Sequence, residues 1–277
     1  MKPIRVIFSD LDGTLFYGGP GKTQMTKENE EAIKRWTSLG HRFVIATGRP
    51  SSIRTELMQR YPIDCDILAC NGAKVIFNHE VLWSKEIGPD YIQEIMDICE
   101  PYGESVDFAL DMDWIEWVVL RRHGLIEENY GGAIFNTTVQ QYIDVPREMY
   151  PNKIFMVCEN QKVKQELMTL LTKRFEGRLE VTSSGQDNIE LCCLGVGKDI
   201  ALKEILQRLD LEETQAAAIG DEINDLGMLK CIPYGFAMNS ARDEIKNQVS
   251  YTIDSVHELI DWCIVHNNEK KHSAYDK

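Results

Sequence analysis

Ile4-Arg5-Val6-Ile7-Phe8-Ser9-Asp10-Leu11-Asp12-Gly13-Thr14 decides the reading of the fold. A short apolar block rich in β-branched residues runs straight into two aspartates and a glycine, the pattern of a buried strand that stops at a polar loop. A helix follows: Thr26 suits the N-cap, Ala32, Ile33, Trp36 and Leu39 recur at helical spacing, and Gly40 sits where a C-terminal glycine cap belongs. Phe43 to Ala46 reads as a second buried strand, Ser51 to Tyr61 as a second helix carrying Ile53, Leu57 and Met58, and Ile67 to Cys70 as a third strand. Strand, helix, strand, helix, strand predicts an α/β fold with a doubly wound, parallel, Rossmann-like sheet.

The pattern changes further along. Lys74 to Phe77 and Val81 to Trp83 read as a hairpin, and Pro89 opens a helix with Ile92, Ile95, Met96 and Cys99. Val106 to Leu110, Trp114 to Leu120 and Ile154 to Cys158 read as strands, followed by a helix closed by Gly177 and by strands Leu179 to Thr182 and Ile189 to Leu194. This antiparallel grammar predicts an inserted α+β cap domain. From Lys198 the helix and strand alternation returns, through a strand Ala216 to Gly220, to a last strand and helix between Tyr251 and Val265 and a polar tail from Asn267. The expected division is a core at 1–84 and 186–277 with a cap at 85–185. Trp114, Trp117, Tyr130 and Tyr142 either line a cap pocket or pack the cap's own sheet, and alternating strands favour packing. Arg121-Arg122-His123, the basic run of the cap, either meets a second acidic group on a substrate or is a solvated turn, and the turn is the simpler reading.

The 277 residues carry 30 Lys and Arg against 44 Asp and Glu, a net charge of -14 that speaks against nucleic acid or an anionic membrane as partner. No apolar stretch is long enough for a transmembrane helix and the first residues carry no apolar leader, so the cytoplasm is the expected location. The eight cysteines are dispersed without a C-x-x-C pair, as reduced core residues are. Nothing in the sequence speaks to oligomeric state.

Chemistry concentrates at strand ends. Asp10 and Asp12 stand at the carboxyl end of the first strand, where α/β sheets bind ligands, and two carboxylates there suit a nucleophile or metal ligand paired with an acid or base. Asp and Gly are equally ordinary turn residues. Thr47-Gly48-Arg49 ends the second strand and brings together a hydroxyl, a flexible amide and a guanidinium, which serve a phosphate or merely cap the next helix. Asp221-Glu222-Ile223-Asn224-Asp225 follows Gly220 and holds more acid than a helix N-terminus needs, which suggests a hard cation, magnesium before calcium. Lys198 opens a helix, where its charge opposes the dipole and so points to an anion or to solvent.

These sites, in this order, resemble the haloacid dehalogenase superfamily, and within it the Cof-type phosphatases with a type IIB cap; Asn71-Gly72-Ala73 is similar to that subfamily's short signature. The resemblance implies a phosphatase that hydrolyses small phosphomonoesters, such as sugar phosphates, through an aspartyl-phosphate intermediate. It implies Asp10 as nucleophile and Asp12 as acid and base. Asp10, the carbonyl of Asp12 and Asp221 then hold Mg2+, with Asp225 as a direct or indirect ligand. Thr47, Lys198, Asn224 and the backbone near Leu11 and Gly48 bind the phosphoryl oxygens. Two departures stand out: Gly197 and Asp199 flank Lys198 where the family has serine or threonine and glycine, and Glu222 follows the motif-four aspartate. A phosphomutase or phosphotransferase using the same intermediate, or a silent phosphometabolite-binding protein, remains compatible with these residues.

Overall fold

The computed structural model describes residues 2–17, 24–111, 117–121, 123–126, 134–136, 150–183 and 185–275. Strand β1 (Val6–Ser9) is buried along its whole length, as a parallel strand covered on both faces must be. A short hairpin, β2 (Phe16–Tyr17) and β3 (Gln24–Met25), precedes helix α1 (Lys27–Ser38). Thr26 caps that helix as the sequence predicts, its Oγ1 accepting from the Asn29 amide at 3.2 Å. Strand β4 (Arg42–Ala46), helix α2 (Ser52–Arg60) and strand β5 (Asp66–Ala69) follow, then the antiparallel pair β6 (Lys74–Phe77) and β7 (Glu80–Ser84), which extends the core sheet at one edge.

The second unit holds α3 (Pro89–Cys99), β8 (Val106–Asp111), β9 (Trp117–Arg121), β10 (Ile134–Asn136), β11 (Lys153–Cys158), α4 (Gln161–Arg174), β12 (Leu179–Thr182) and β13 (Asn188–Cys193). Its sheet runs β10-β9-β8-β11-β13-β12. The expected boundary at 185/186 falls before β13, whose hydrogen-bonded neighbours are both strands of this sheet; the chain returns to the core only at α5 (Lys198–Arg208). An apolar strand of six residues fits either sheet by pattern, so pairing decides. One face of the sheet, with Ile154, Met156, Ile189 and Leu191, packs on Ile92, Ile95, Leu167 and Leu171 of the two helices. By strand alternation Lys153, Phe155, Glu190 and Cys192 share the other face.

The core resumes with β14 (Ala216–Gly220), α6 (Leu226–Lys230), β15 (Tyr234–Met238), α7 (Asp243–Lys246), β16 (Tyr251–Ile253) and α8 (Val256–Tyr275). Its order is β16-β15-β14-β1-β4-β5-β6-β7. Ile7 faces a cluster with Trp36, Leu57 and Leu259, whereas Val6 and Phe8 face Leu202, Ile205 and Met228, so helices cover both sides of β1. The α/β class with an inserted cap is therefore observed. The terminal helix continues through Tyr275, past the expected tail, because Asn267 is anchored: its carboxamide exchanges hydrogen bonds with both backbone groups of Ile4, at 2.7 and 2.9 Å.

The chain leaves β1 toward β4 on one side and later returns to β14 on the other. The crevice outside the carboxyl ends of these strands lies at that switch of direction, where doubly wound sheets bind ligands.

Candidate active site

Asp10 follows β1 directly, and its backbone amide continues the ladder to the Ile219 carbonyl at 2.9 Å. Lys198, the first residue of α5, reaches the same place: Nζ donates to Asp10 Oδ1 at 2.7 Å and to Asp225 Oδ1 at 2.6 Å. The ammonium that looks unrewarded at a helix start is thus held between two carboxylates. Asp225 is fully buried and its Oδ2 accepts the Asp221 and Glu222 amides, each at 3.0 Å, so both its oxygens are engaged. Thr14 donates its hydroxyl to Asp221 Oδ1 at 2.7 Å. Gly13 makes that contact possible: its φ is +88°, and a Cβ there would lie 2.3 Å from Asp221 Oδ2.

Asp10, Asp221 and Asp225 each bring a carboxylate oxygen to within 4.8 Å of the others. One ammonium lies beside two buried acids, Asp10 and Asp225, with the half-buried Asp221 close by, and their titration reflects the imbalance. Burial, then the Asp225 and Asp221 charges, push the Asp10 carboxyl well above its ordinary range, with Lys198 pulling the other way. Burial pushes Asp221 up to about 6 against the Thr14 hydrogen bond, and Asp225 and Glu222 add to the rise. Burial pulls Lys198 down, but Asp10 and Asp225 outweigh it and hold the ammonium above the usual lysine value. A hard divalent cation fits this cluster, because it would supply the missing positive charge to oxygen donors already gathered. Asn224 adds a further acceptor in the adjoining turn, its Oδ1 buried without a hydrogen-bond partner.

Asp12 stands apart from this cluster. Its carboxylate is about half exposed and takes a two-point contact from Arg49, through Nε at 2.8 Å and through Nη2. Arg49, which the sequence offers with Thr47 and Gly48 to a phosphate or to a helix cap, holds this second aspartate. Thr47 is buried and its Oγ1 accepts the Arg49 amide at 3.0 Å, which closes the turn after β4. Leu11 is buried and its carbonyl accepts the Phe16 amide at 2.7 Å.

Neither Lys153 nor Glu190 stands out in the sequence, yet both are buried on the cap-sheet face they share and reach the core loops. Lys153 Nζ donates to the Gly48 carbonyl at 2.8 Å and lies 3.5 Å from Glu190 Oε1. Asn71 donates to Glu190 Oε2 at 2.9 Å, and Asn224 donates to Asn71 Oδ1 at 3.2 Å. The readable signal is a lone charge on each of two largely apolar strands. Of the other cap residues singled out, Trp114, Arg122, Tyr130 and Tyr142 lie outside the described residues, Trp117 and Arg121 belong to β9, and the His123 amide donates to Asp107. All eight cysteines are free, most of them buried.

The profile of the haloacid dehalogenase-like hydrolases matches residues 7–259. The chain is 26% identical over 253 residues to the 5-amino-6-(5-phospho-D-ribitylamino)uracil phosphatase YcsE of Bacillus subtilis, covering 91% of this chain and 90% of that protein. It is 26% identical over 270 residues to phosphatase YwpJ of the same organism, covering 88% and 92%. A haloacid dehalogenase-like hydrolase from Bacteroides thetaiotaomicron shares the fold with a TM-score of 0.77 at 24% identity, over 93% of this chain and 98% of that one. The subclass IIB sugar phosphatase BT4131 does so with a TM-score of 0.74 at 19% identity, over 92% and 95%.

Proposed function

Since the chain belongs to the haloacid dehalogenase-like hydrolases, as an enzyme of their phosphatase branch, we propose that it hydrolyses small phosphomonoesters in the cytoplasm through an aspartyl-phosphate on Asp10. The observation that carries this reading is the arrangement of buried Asp10, Lys198 and Asp225 with half-buried Asp221 at the carboxyl ends of β1 and β14.

In the first half-reaction an Asp10 oxygen bonds to phosphorus as the bond to the leaving alcohol breaks. Only Oδ1 of Asp10 is engaged by Lys198, so Oδ2 is available for that attack. Asp12 gives its proton to the departing alkoxide. In the second half-reaction Asp12 takes a proton from water, whose oxygen bonds to phosphorus and releases Asp10 as a carboxylate. Arg49 holds both Asp12 oxygens in this structure, so one of those contacts must be released for Asp12 to carry the proton that it gives in the first half-reaction. Lys198, the Thr47 hydroxyl, the Asn224 amide and the Leu11 and Gly48 amides offer donors to the phosphoryl oxygens, which carry the transition-state charge. Asp10, Asp221 and the Asp12 carbonyl would hold magnesium, with Asp225 as support, and the ion's charge would offset repulsion between a carboxylate nucleophile and a phosphate dianion.

Two of the named proteins are a 5-amino-6-(5-phospho-D-ribitylamino)uracil phosphatase and a sugar phosphatase, and both names point to phosphate esters of a polyhydroxylated carbon chain, which supports the same substrate class here. The test is phosphate release from a panel of sugar, polyol and nucleotide monophosphates with magnesium present. Turnover with sugar or polyol phosphates at a kcat/KM at least about tenfold above the others is expected; a panel hydrolysed no faster than in buffer would overturn the reading.

A further inference from the structure

Cys70, Asn71 and Gly72 form a single turn in which all three residues have positive φ, at 48°, 55° and 95°. A run of left-handed residues is strained unless surroundings enforce it, and such strain gathers where geometry matters. This turn touches three loops of the proposed site. The Asn71 amide donates to the Thr47 carbonyl at 2.9 Å and the Cys70 amide to the Arg49 carbonyl at 2.8 Å. Gly72 lies so close to the start of α5 that a Cβ would sit 2.7 Å from the Gly197 carbonyl, the residue before Lys198. The Asn71 side chain then bridges Glu190 of the cap and Asn224 of the core.

The bridge has a direction. Glu190, whose Oε1 lies beside the Lys153 ammonium, accepts from Asn71 through Oε2. It therefore faces the nitrogen of Asn71, which turns the Asn71 oxygen to Asn224. That oxygen in turn requires the nitrogen of Asn224, which leaves Asn224 Oδ1 as the buried atom without a partner. Among the described residues, no other hydrogen bond to these two carboxamides fixes which way round they sit.

We propose that Asn71 is a positioning residue: it relays the buried Lys153–Glu190 pair of the cap to Asn224 and so fixes which end of the Asn224 carboxamide meets the phosphoryl group. The inference rests on the phosphatase reading and extends it to a cap charge that acts on phosphoryl transfer without touching the substrate. With the relay intact, the second N–H of Asn224 is held for a phosphoryl oxygen and its Oδ1 is kept for a cation or water. With the relay cut, the carboxamide samples both orientations, and the loss falls on kcat.

The test compares wild type, Asn71→Gly, Glu190→Gln and the double variant on an aryl phosphate with magnesium, with unfolding midpoints alongside. Glycine tolerates the left-handed φ better than any other residue, so Asn71→Gly removes the relay and keeps the turn; it serves on its own should Glu190→Gln fail to fold. Each single variant is expected to lose about tenfold or more in kcat with KM within threefold, and the double variant to be no worse than Asn71→Gly, because Glu190 acts through Asn71. Folded single variants with kcat within twofold of wild type, or a double variant whose loss is the product of the two, would overturn the relay and leave the phosphatase reading standing. A second readout needs no turnover: the side-chain amide nuclear resonances of Asn224 should shift in Glu190→Gln, but not when the same change is made in the Asn71→Gly background. Unmoved resonances in Glu190→Gln would equally overturn the relay.

Discussion

Gly13 shows how much of the site hangs on single atoms, since its missing Cβ is what lets Asp221 lie against the loop after β1. Gly13→Ala is expected to displace Asp221, lose most phosphate release and destabilise the fold by more than about 1 kcal/mol, because φ of +88° also strains any L side chain. Steady-state kinetics and denaturant unfolding check the two halves separately. The acids themselves make the protein sensitive to pH. Asp221 rises from 3.8 to about 6, so its contribution to stability is full below 3.8 and is lost as the pH climbs through about 6; Asp10 shifts the same way. With a chelator present, this cluster therefore lowers the unfolding midpoint between pH 5 and pH 7.5. Added magnesium is expected to raise the midpoint at pH 7.5 and have far less effect at pH 5, where protons hold Asp221. An equal magnesium effect at both pH values, read by thermal unfolding, would contradict that linkage.

Elements rather than residues explain what the sequence made legible. The strand ending in Asp10, the helix opened by Thr26 and the helix begun by Lys198 each carry a local signature, so their ends, and the groups placed there, are readable from the chain. Thr26→Ala removes the 3.2 Å cap to Asn29 and is expected to cost about 1 kcal/mol, measurable by denaturant unfolding, with kcat unchanged. The cap strands were harder. An apolar run such as Asn188–Cys193 fits either sheet until its neighbours are known, which is why the boundary near 185 fell short of β13. Short pieces such as β2, β3 and α7 are below the length at which periodicity speaks. The contacts of Lys153, Glu190 and Asn71 depend on register between β11 and β13 and on a left-handed turn, neither of which a single sequence displays. For the same reason no local pattern displays the Arg49 grip on Asp12, which joins two strand-end loops 37 residues apart.

Across the whole molecule the division of labour follows from topology. The doubly wound sheet gathers Asp10, Thr47 and Asp221 at one edge because parallel strands all end on the same side, and the inserted cap sheet turns its Lys153 and Glu190 face onto that edge. Buried polar contacts between cap and core run to Gly48 and Asn71, so any motion of the cap is felt where phosphate would bind. The central claim, that Asp10 is the nucleophile of a cation-assisted phosphatase, is tested most directly by phosphate release from a substrate the wild type accepts, measured for wild type and Asp10→Asn, each with magnesium and with excess chelator. The account predicts turnover only in wild type with magnesium, with Asp10→Asn lower by at least about a thousandfold and, with chelator present, more resistant to unfolding than wild type, since one of three crowded carboxylates has gone. Turnover that survives both Asp10→Asn and the chelator would contradict it.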